Sequence, residues 1–135
     1  IFKLVNKNSG EKSIHLKKLN IFPMSWDNIQ LEQNWKKIID IRNEANSSIE
    51  AMRAEKILGS SLEANIEIEL DEENYNLGKN YDFSEICITS LAKIIKSKKE
   101  NLIKVNTVKA EGQKCSVCWK INKNGCERNS CSNKS

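Results

Sequence analysis

Histidine is nearly missing from this chain: His15 is the only one among 135 residues. Chemistry that runs on imidazole, whether acid–base catalysis or mixed cysteine–histidine metal binding, is left with one isolated candidate. A nucleophilic pair of His15 with Cys87 has no local pattern to support it. Proline occurs once, at Pro23, and the five glycines are scattered, so no glycine-rich loop is available to cradle phosphates. No run approaches the roughly 18 apolar residues that a membrane-spanning helix needs. No basic stretch followed by an apolar one marks a secretory signal, so a cytoplasmic chain with reduced thiols and no membrane partner is expected. The carboxylates, Glu44, Glu50, Glu63 and Glu67 among them, fall on solvated faces and suggest no acid–base pair.

What the chain does have is four cysteines crowded into its last 22 residues: Cys115, Cys118, Cys126 and Cys131. A Cys-x-x-Cys knuckle, a turn containing Gly125 and a second pair suit a tetrahedral ion held by two thiolates from each arm. So short a segment cannot fold on apolar burial alone. One structural zinc would supply on the order of 10–16 kcal/mol toward ordering it. Disulfides or free thiols are the competing reading, and the second pair, Cys126-x4-Cys131, is wider than the first. Cys87, between Ile86 and Ile88, reads as a core residue.

Charge is distributed unevenly. Residues 1–92 hold 11 Lys/Arg against 15 Asp/Glu, whereas residues 93–135 hold 11 against 3. The positive excess thus lies at the cysteine end, which points to a polyanion, most simply a nucleic acid, over a merely solvated surface. Trp119 follows Cys118 directly. It can stack on an unpaired base or cover the metal, and the two roles are compatible. Lys114, Lys120, Lys123 and Arg128 are the phosphate candidates around it.

Periodicity sets the fold class. Residues 1–24 read as a connector ending near Pro23, and Ser25 as the cap of a helix from Asp27 to Leu58. Its stripe is Leu31, Trp35, Ile38, Ala45, Ile49 and Met52, widened by Ile39 and Ile41, and Gly59 is the expected stop. One amphipathic rod cannot bury its own stripe, so further helices are expected before it. The chain does not begin with Met, which adds to the expectation of a segment of something longer. Ala64, Ile66, Ile68 and Leu70 alternate with polar residues as a half-buried strand. A short helix over Asp71–Gly78 follows. Further strands are expected at Ile86–Thr89, Ala92–Lys96 and Leu102–Val108, the last two joined by the basic turn Lys96-Ser97-Lys98-Lys99. Gly112 marks the hinge into the knuckles. The expected class is α+β: a long amphipathic helix ending a helical bundle (1–60), a small mixed α/β sheet subdomain (61–110) and a C-terminal zinc knuckle (111–135).

Several motifs occur together in order: Ser13-Ile14-His15-Leu16 with Phe22-Pro23; Trp35, Ile41-Arg42 and Asn46; Glu50, Arg53 and Lys56 before Gly59-Ser60-Ser61-Leu62-Glu63-Ala64; and Lys109-Ala110-Glu111-Gly112-Gln113-Lys114-Cys115-Ser116-Val117-Cys118-Trp119. This order resembles the C-terminal end of the bacterial-type isoleucyl-tRNA synthetase family over nearly the whole chain. The resemblance implies an enzyme that uses ATP to attach isoleucine to its tRNA, with upstream catalytic and editing domains and a monomeric state. This chain would be the end of its anticodon-binding domain plus a zinc-binding segment that grips the anticodon end of the tRNA, with Arg42 or Arg53 as further contacts. The His-Ile-Gly-His and Lys-Met-Ser-Lys-Ser type ATP-site signatures are absent, so no catalysis is expected of this segment alone. A similar knuckle ends the formamidopyrimidine-DNA glycosylases. A zinc-ribbon DNA-binding module is therefore the alternative, and a purely structural interaction domain a third.

Overall fold

A computed structural model describes residues 21–126 together with Arg128 and Cys131. The expectations for the connector before residue 21, His15 and the Ser13–Leu16 motif lie outside the described residues.

After Pro23 the chain makes a 3-10 turn over Met24–Trp26, with the Trp26 N–H donating to Pro23 O at 3.0 Å. The long helix, α1, spans Ile29–Ala54. Its cap is Asn28 and not Ser25: Asn28 Oδ1 accepts the Leu31 N–H at 2.9 Å. Its end also comes earlier than Gly59. Lys56 takes the left-handed conformation, with φ 60°. The Ile57 N–H reaches Met52 O and the Lys56 N–H reaches Arg53 O, both at 3.0 Å. This is a Schellman ending built on lysine.

The middle of α1 carries the core. Ile38, Ile41, Ala45 and Ile49 are buried at helical spacing. A sheet covers them, with Phe83, Tyr75 and Leu77 packed into the same cluster. Strands β1 (Ala64–Leu70), β2 (Leu91–Lys96) and β3 (Ile103–Lys109) run in the order β2-β1-β3. β1 has the alternation expected of it: Ala64, Ile66, Ile68 and Leu70 are buried and face the helix. Ser48 ties α1 to β3 through Thr107, with their hydroxyls 2.7 Å apart. Toward its N-terminus α1 outruns the sheet, leaving Ile29, Leu31, Trp35 and Ile39 exposed. Trp35 meets Tyr81 edge-on there.

β1 pairs with β2 in parallel and with β3 antiparallel. A parallel pair needs a crossover, and α2 (Glu72–Gly78) and α3 (Phe83–Ile86) form it. Each has an aspartate cap: Asp71 accepts the Asn74 N–H and Asp82 the Ser84 N–H, both at 2.8 Å. The strand expected at Ile86–Thr89 is therefore absent. Ile86 closes α3, Ile88 turns the chain with φ 55°, and Cys87 and Thr89 are buried as turn residues. The basic turn after Lys96 does join β2 to β3, but these strands flank β1 instead of pairing with each other.

On the open face of the sheet Glu67 lies opposite Lys93 and Glu69 opposite Lys104. Among the described residues no helix is long and apolar enough to cross a membrane.

Candidate metal centre

At the β1 N-terminal end of the sheet the chain leaves the body as a small hairpin, β4 (Gln113–Lys114) paired antiparallel with β5 (Ile121–Asn122). Gly112 makes the entry possible. Its φ is +131°, and a Cβ there would lie 2.3 Å from Asn122 O. Between the strands the chain turns sharply at Cys115–Cys118. The Cys115 N–H donates to Lys120 O and the Trp119 N–H to Cys115 O, both at 3.0 Å. Trp119 leaves this knuckle with φ 64°, a conformation costly for a side chain with a Cβ.

The four cysteines converge. The Sγ atoms of Cys115, Cys118, Cys126 and Cys131 all lie within 4.8 Å of one another, and Cys118 and Cys126 approach to 3.5 Å. Four sulfurs about 2.3 Å from one ion would stand roughly 3.8 Å apart, so the cluster is close to a tetrahedral thiolate site. None of the four forms a disulfide. The wider spacing of the second pair does not keep it out of the cluster: Cys131 N–H donates to Arg128 O at 2.8 Å, bringing its sulfur back toward Cys126.

The electrostatics suit a cation. Backbone N–H groups of Cys118 and then Val117 point at Cys115 Sγ and pull its thiol down to about 6. Burial, followed by the neighbouring Cys126 and Cys118 sulfurs, pushes Cys131 up to about 12. Crowded thiols cannot all ionise without a compensating charge, and a bound metal ion supplies it. This group can hold a metal ion. Cys87 is not part of it; it is buried in the core, where desolvation raises its thiol to about 11.

The basic residues around the knuckle have specific partners. Lys114 Nζ lies over the Trp119 ring, 5.8 Å from its centroid, and Trp119 itself is 59% exposed. Lys120 Nζ donates to Glu85 Oε1 at 2.7 Å and to Ser84 Oγ at 3.0 Å. Arg128 Nη2 reaches the other oxygen, Glu85 Oε2, at 2.8 Å. Lys123 pairs with Glu111 at 2.8 Å on the surface. Farther off, Arg42 Nε donates to Ile86 O at 3.1 Å, and Arg53 pairs with Glu50.

No protein-family model matches the chain. An isoleucine–tRNA ligase of Pelagibacter ubique (strain HTCC1062) is 49% identical over 130 residues, which is 96% of this chain and 14% of that protein. Those of Zymomonas mobilis (34% identical over 79% of this chain) and Agrobacterium fabrum (32% over 82%) are also similar. This chain belongs to the isoleucine–tRNA ligase family. It spans 11% to 14% of the length of these three relatives.

In this member of the isoleucine–tRNA ligase family, two contacts of the site have no signal in the sequence. The first is Glu85, whose carboxyl is held below its ordinary range chiefly by the Lys120 hydrogen bond, with Lys120 and Arg128 charges adding to it. It lies 35 and 43 residues from its partners, and no spacing signal links them. The second is Ser90, whose Oγ accepts the Ile121 N–H at 2.6 Å while donating to Leu62 O at 2.5 Å. It joins the hairpin to the Gly59–Ala64 turn.

Proposed function

We propose that this chain is the C-terminal, tRNA-binding portion of an isoleucine–tRNA ligase and that one structural zinc organises its finger. The ligand set is Cys115, Cys118, Cys126 and Cys131. Four thiolates leave no open coordination position, so the ion serves folding and not hydrolysis. The observation that carries this reading is the convergence of the four sulfurs, with an exposed Trp119 directly after Cys118, in a chain whose relatives are isoleucine–tRNA ligases.

In this reading Trp119 offers its ring face to an unpaired base at the anticodon end of the tRNA, and Lys114 beside it meets a phosphate. Lys120, Lys123 and Arg128 add a weaker positive field around it, partly offset by their partners Glu85 and Glu111. The whole protein attaches isoleucine to its tRNA with ATP. Its catalytic and editing groups belong to other domains, and it acts as a cytoplasmic monomer.

The test is metal analysis joined to a binding comparison. One zinc per chain is expected, with isoleucine-specific tRNA preferred over duplex DNA at matched salt. Affinity should fall with salt by roughly 0.7–0.9 log units per log unit of salt for each phosphate met. Preference for the duplex, as a DNA-repair zinc ribbon would show, or protein without stoichiometric metal, overturns the reading.

A further inference from the structure

Besides the Ser90 link from Ile121, the finger is fastened to the body through one carboxylate. Lys120 leaves the first knuckle two residues after Cys118, and Arg128 lies between Cys126 and Cys131. Both arms of the cysteine cluster therefore send a cation to the same residue, one to each oxygen of Glu85. Glu85 belongs to α3, whose N-terminal cap, Asp82, adds a second negative charge facing Lys120. The Lys120 side chain is only 17% exposed and has Ser84 Oγ as a second acceptor. Surface ion pairs are usually weak, but this group joins two loop arms and is partly withdrawn from water.

We propose that Glu85 is the positioning residue of the finger. Its carboxylate occupies Lys120 and Arg128, which narrows the charge offered to polyanions to the Lys114–Trp119 side and sets the direction in which that side faces. The second half of this inference rests on the nucleic-acid reading above; the fastening of the cysteine arms does not. The physical basis is competition. A carboxylate within 2.8 Å of both cations satisfies the charge that a phosphate would otherwise attract. A finger with all its cations free would hold any polyanion in many orientations.

Glu85→Gln keeps the shape and removes the charge. The whole chain is loaded with cobalt(II), whose thiolate absorption reports an intact site, and two quantities are read. The first is the rate at which a chelator strips the cobalt, expected to rise at least threefold. The second is the salt dependence of binding to poly(U), a single-stranded RNA without structure. Two freed cations should steepen its log–log slope by about 1.4. Lys120→Gln tests the fastening from the other side: it should speed stripping as Glu85→Gln does, and the double variant should add little further. An unchanged stripping rate in both single variants, or fully additive effects, overturns the fastening. An unchanged poly(U) slope with intact cobalt absorption overturns the narrowing of charge. If the parent chain binds neither poly(U) nor tRNA, the nucleic-acid reading falls and with it the narrowing of charge, while the stripping rates still decide the fastening.

Discussion

Gly112→Ala should uncouple the finger from the body. The added methyl would lie 2.3 Å from Asn122 O, 2.4 Å from Asn122 C and 2.7 Å from Lys123 N. All three are backbone atoms, so no side-chain rotation relieves the overlap. The chain must either abandon φ +131° or push β5 away from β4. Holding a residue with a Cβ in a sparsely populated backbone region costs about 1–3 kcal/mol. Opening the hairpin loosens the pairing of Gln113 with Asn122 and of Lys114 with Ile121, about 1 kcal/mol for each hydrogen bond lost. A combined cost of about 3 kcal/mol is reasonable.

In the zinc-finger reading proposed above, metal capture and finger folding are one equilibrium. That cost should therefore appear as weaker metal affinity, by a factor on the order of 100 at 1.4 kcal/mol per tenfold. The body is held by the core between α1 and the sheet and should be spared. Cobalt(II) titration, followed by thiolate absorption and calibrated by zinc competition, measures the first effect. Urea unfolding followed at the α1 helical signal measures the second. Cobalt affinity within threefold of the parent, with the same spectrum, would refute the close-approach argument. A body that unfolds together with the finger would refute their independence.

Ile41→Ala should have the opposite pattern: Ile41 is fully buried between α1 and the sheet, so urea unfolding should show a loss of about 2–5 kcal/mol, with the thiolate absorption of the cobalt-loaded protein preserved; a loss below 1 kcal/mol would mean the site is not packed. Trp119→Ala should leave cobalt affinity intact and weaken tRNA binding by about 1–3 kcal/mol in a filter-binding titration; unchanged binding would assign the ring to covering the metal. Asp82→Ala should remove about 1 kcal/mol of stability at pH 6 through loss of the α3 cap. The Asp82 carboxyl is held below 3.8, first by the Ser84 side-chain hydrogen bond, so its contribution is full above about pH 4 and fades as pH falls through the folded value. Urea midpoints that differ as much at pH 2.5 as at pH 6 would refute this.

Legibility in the sequence tracks how local each signal is. The alternation of Ala64, Ile66, Ile68 and Leu70 reports a strand with one face in water, and these four residues are the buried ones. The same pattern cannot state what covers that face. The stripe on α1 is equally plain, but it does not say which part of it a sheet covers; the sheet does so over Ile38–Ile49. Ile86-Cys87-Ile88-Thr89 misleads because a short run of β-branched residues suits a buried turn as well as a strand. The arbiter was close by: Asp82 two residues before Ser84 is a capping arrangement. Gly59 misleads in another way. It looks like a helix stop, but its N–H is instead used by Glu63 Oε2 at 3.0 Å, in the turn that leads into β1.

The cysteine cluster was legible because metal coordination leaves a composition that ordinary packing does not. Even the irregular Cys126-x4-Cys131 spacing is compatible with it, since a tetrahedron constrains sulfur positions and not the length of chain between them. The roles of the cations were less legible for the converse reason. Lysine and arginine near a knuckle look alike in sequence, whether they face a phosphate or a carboxylate. Only the fold separates Lys114, placed over an exposed ring, from Lys120 and Arg128, each at one oxygen of a glutamate far away along the chain. A basic excess of this kind therefore gives the sign of a partner. Which cations are available to it depends on the acidic groups that the fold brings alongside: among the described residues Glu85 takes Lys120 and Arg128, and Glu111 takes Lys123.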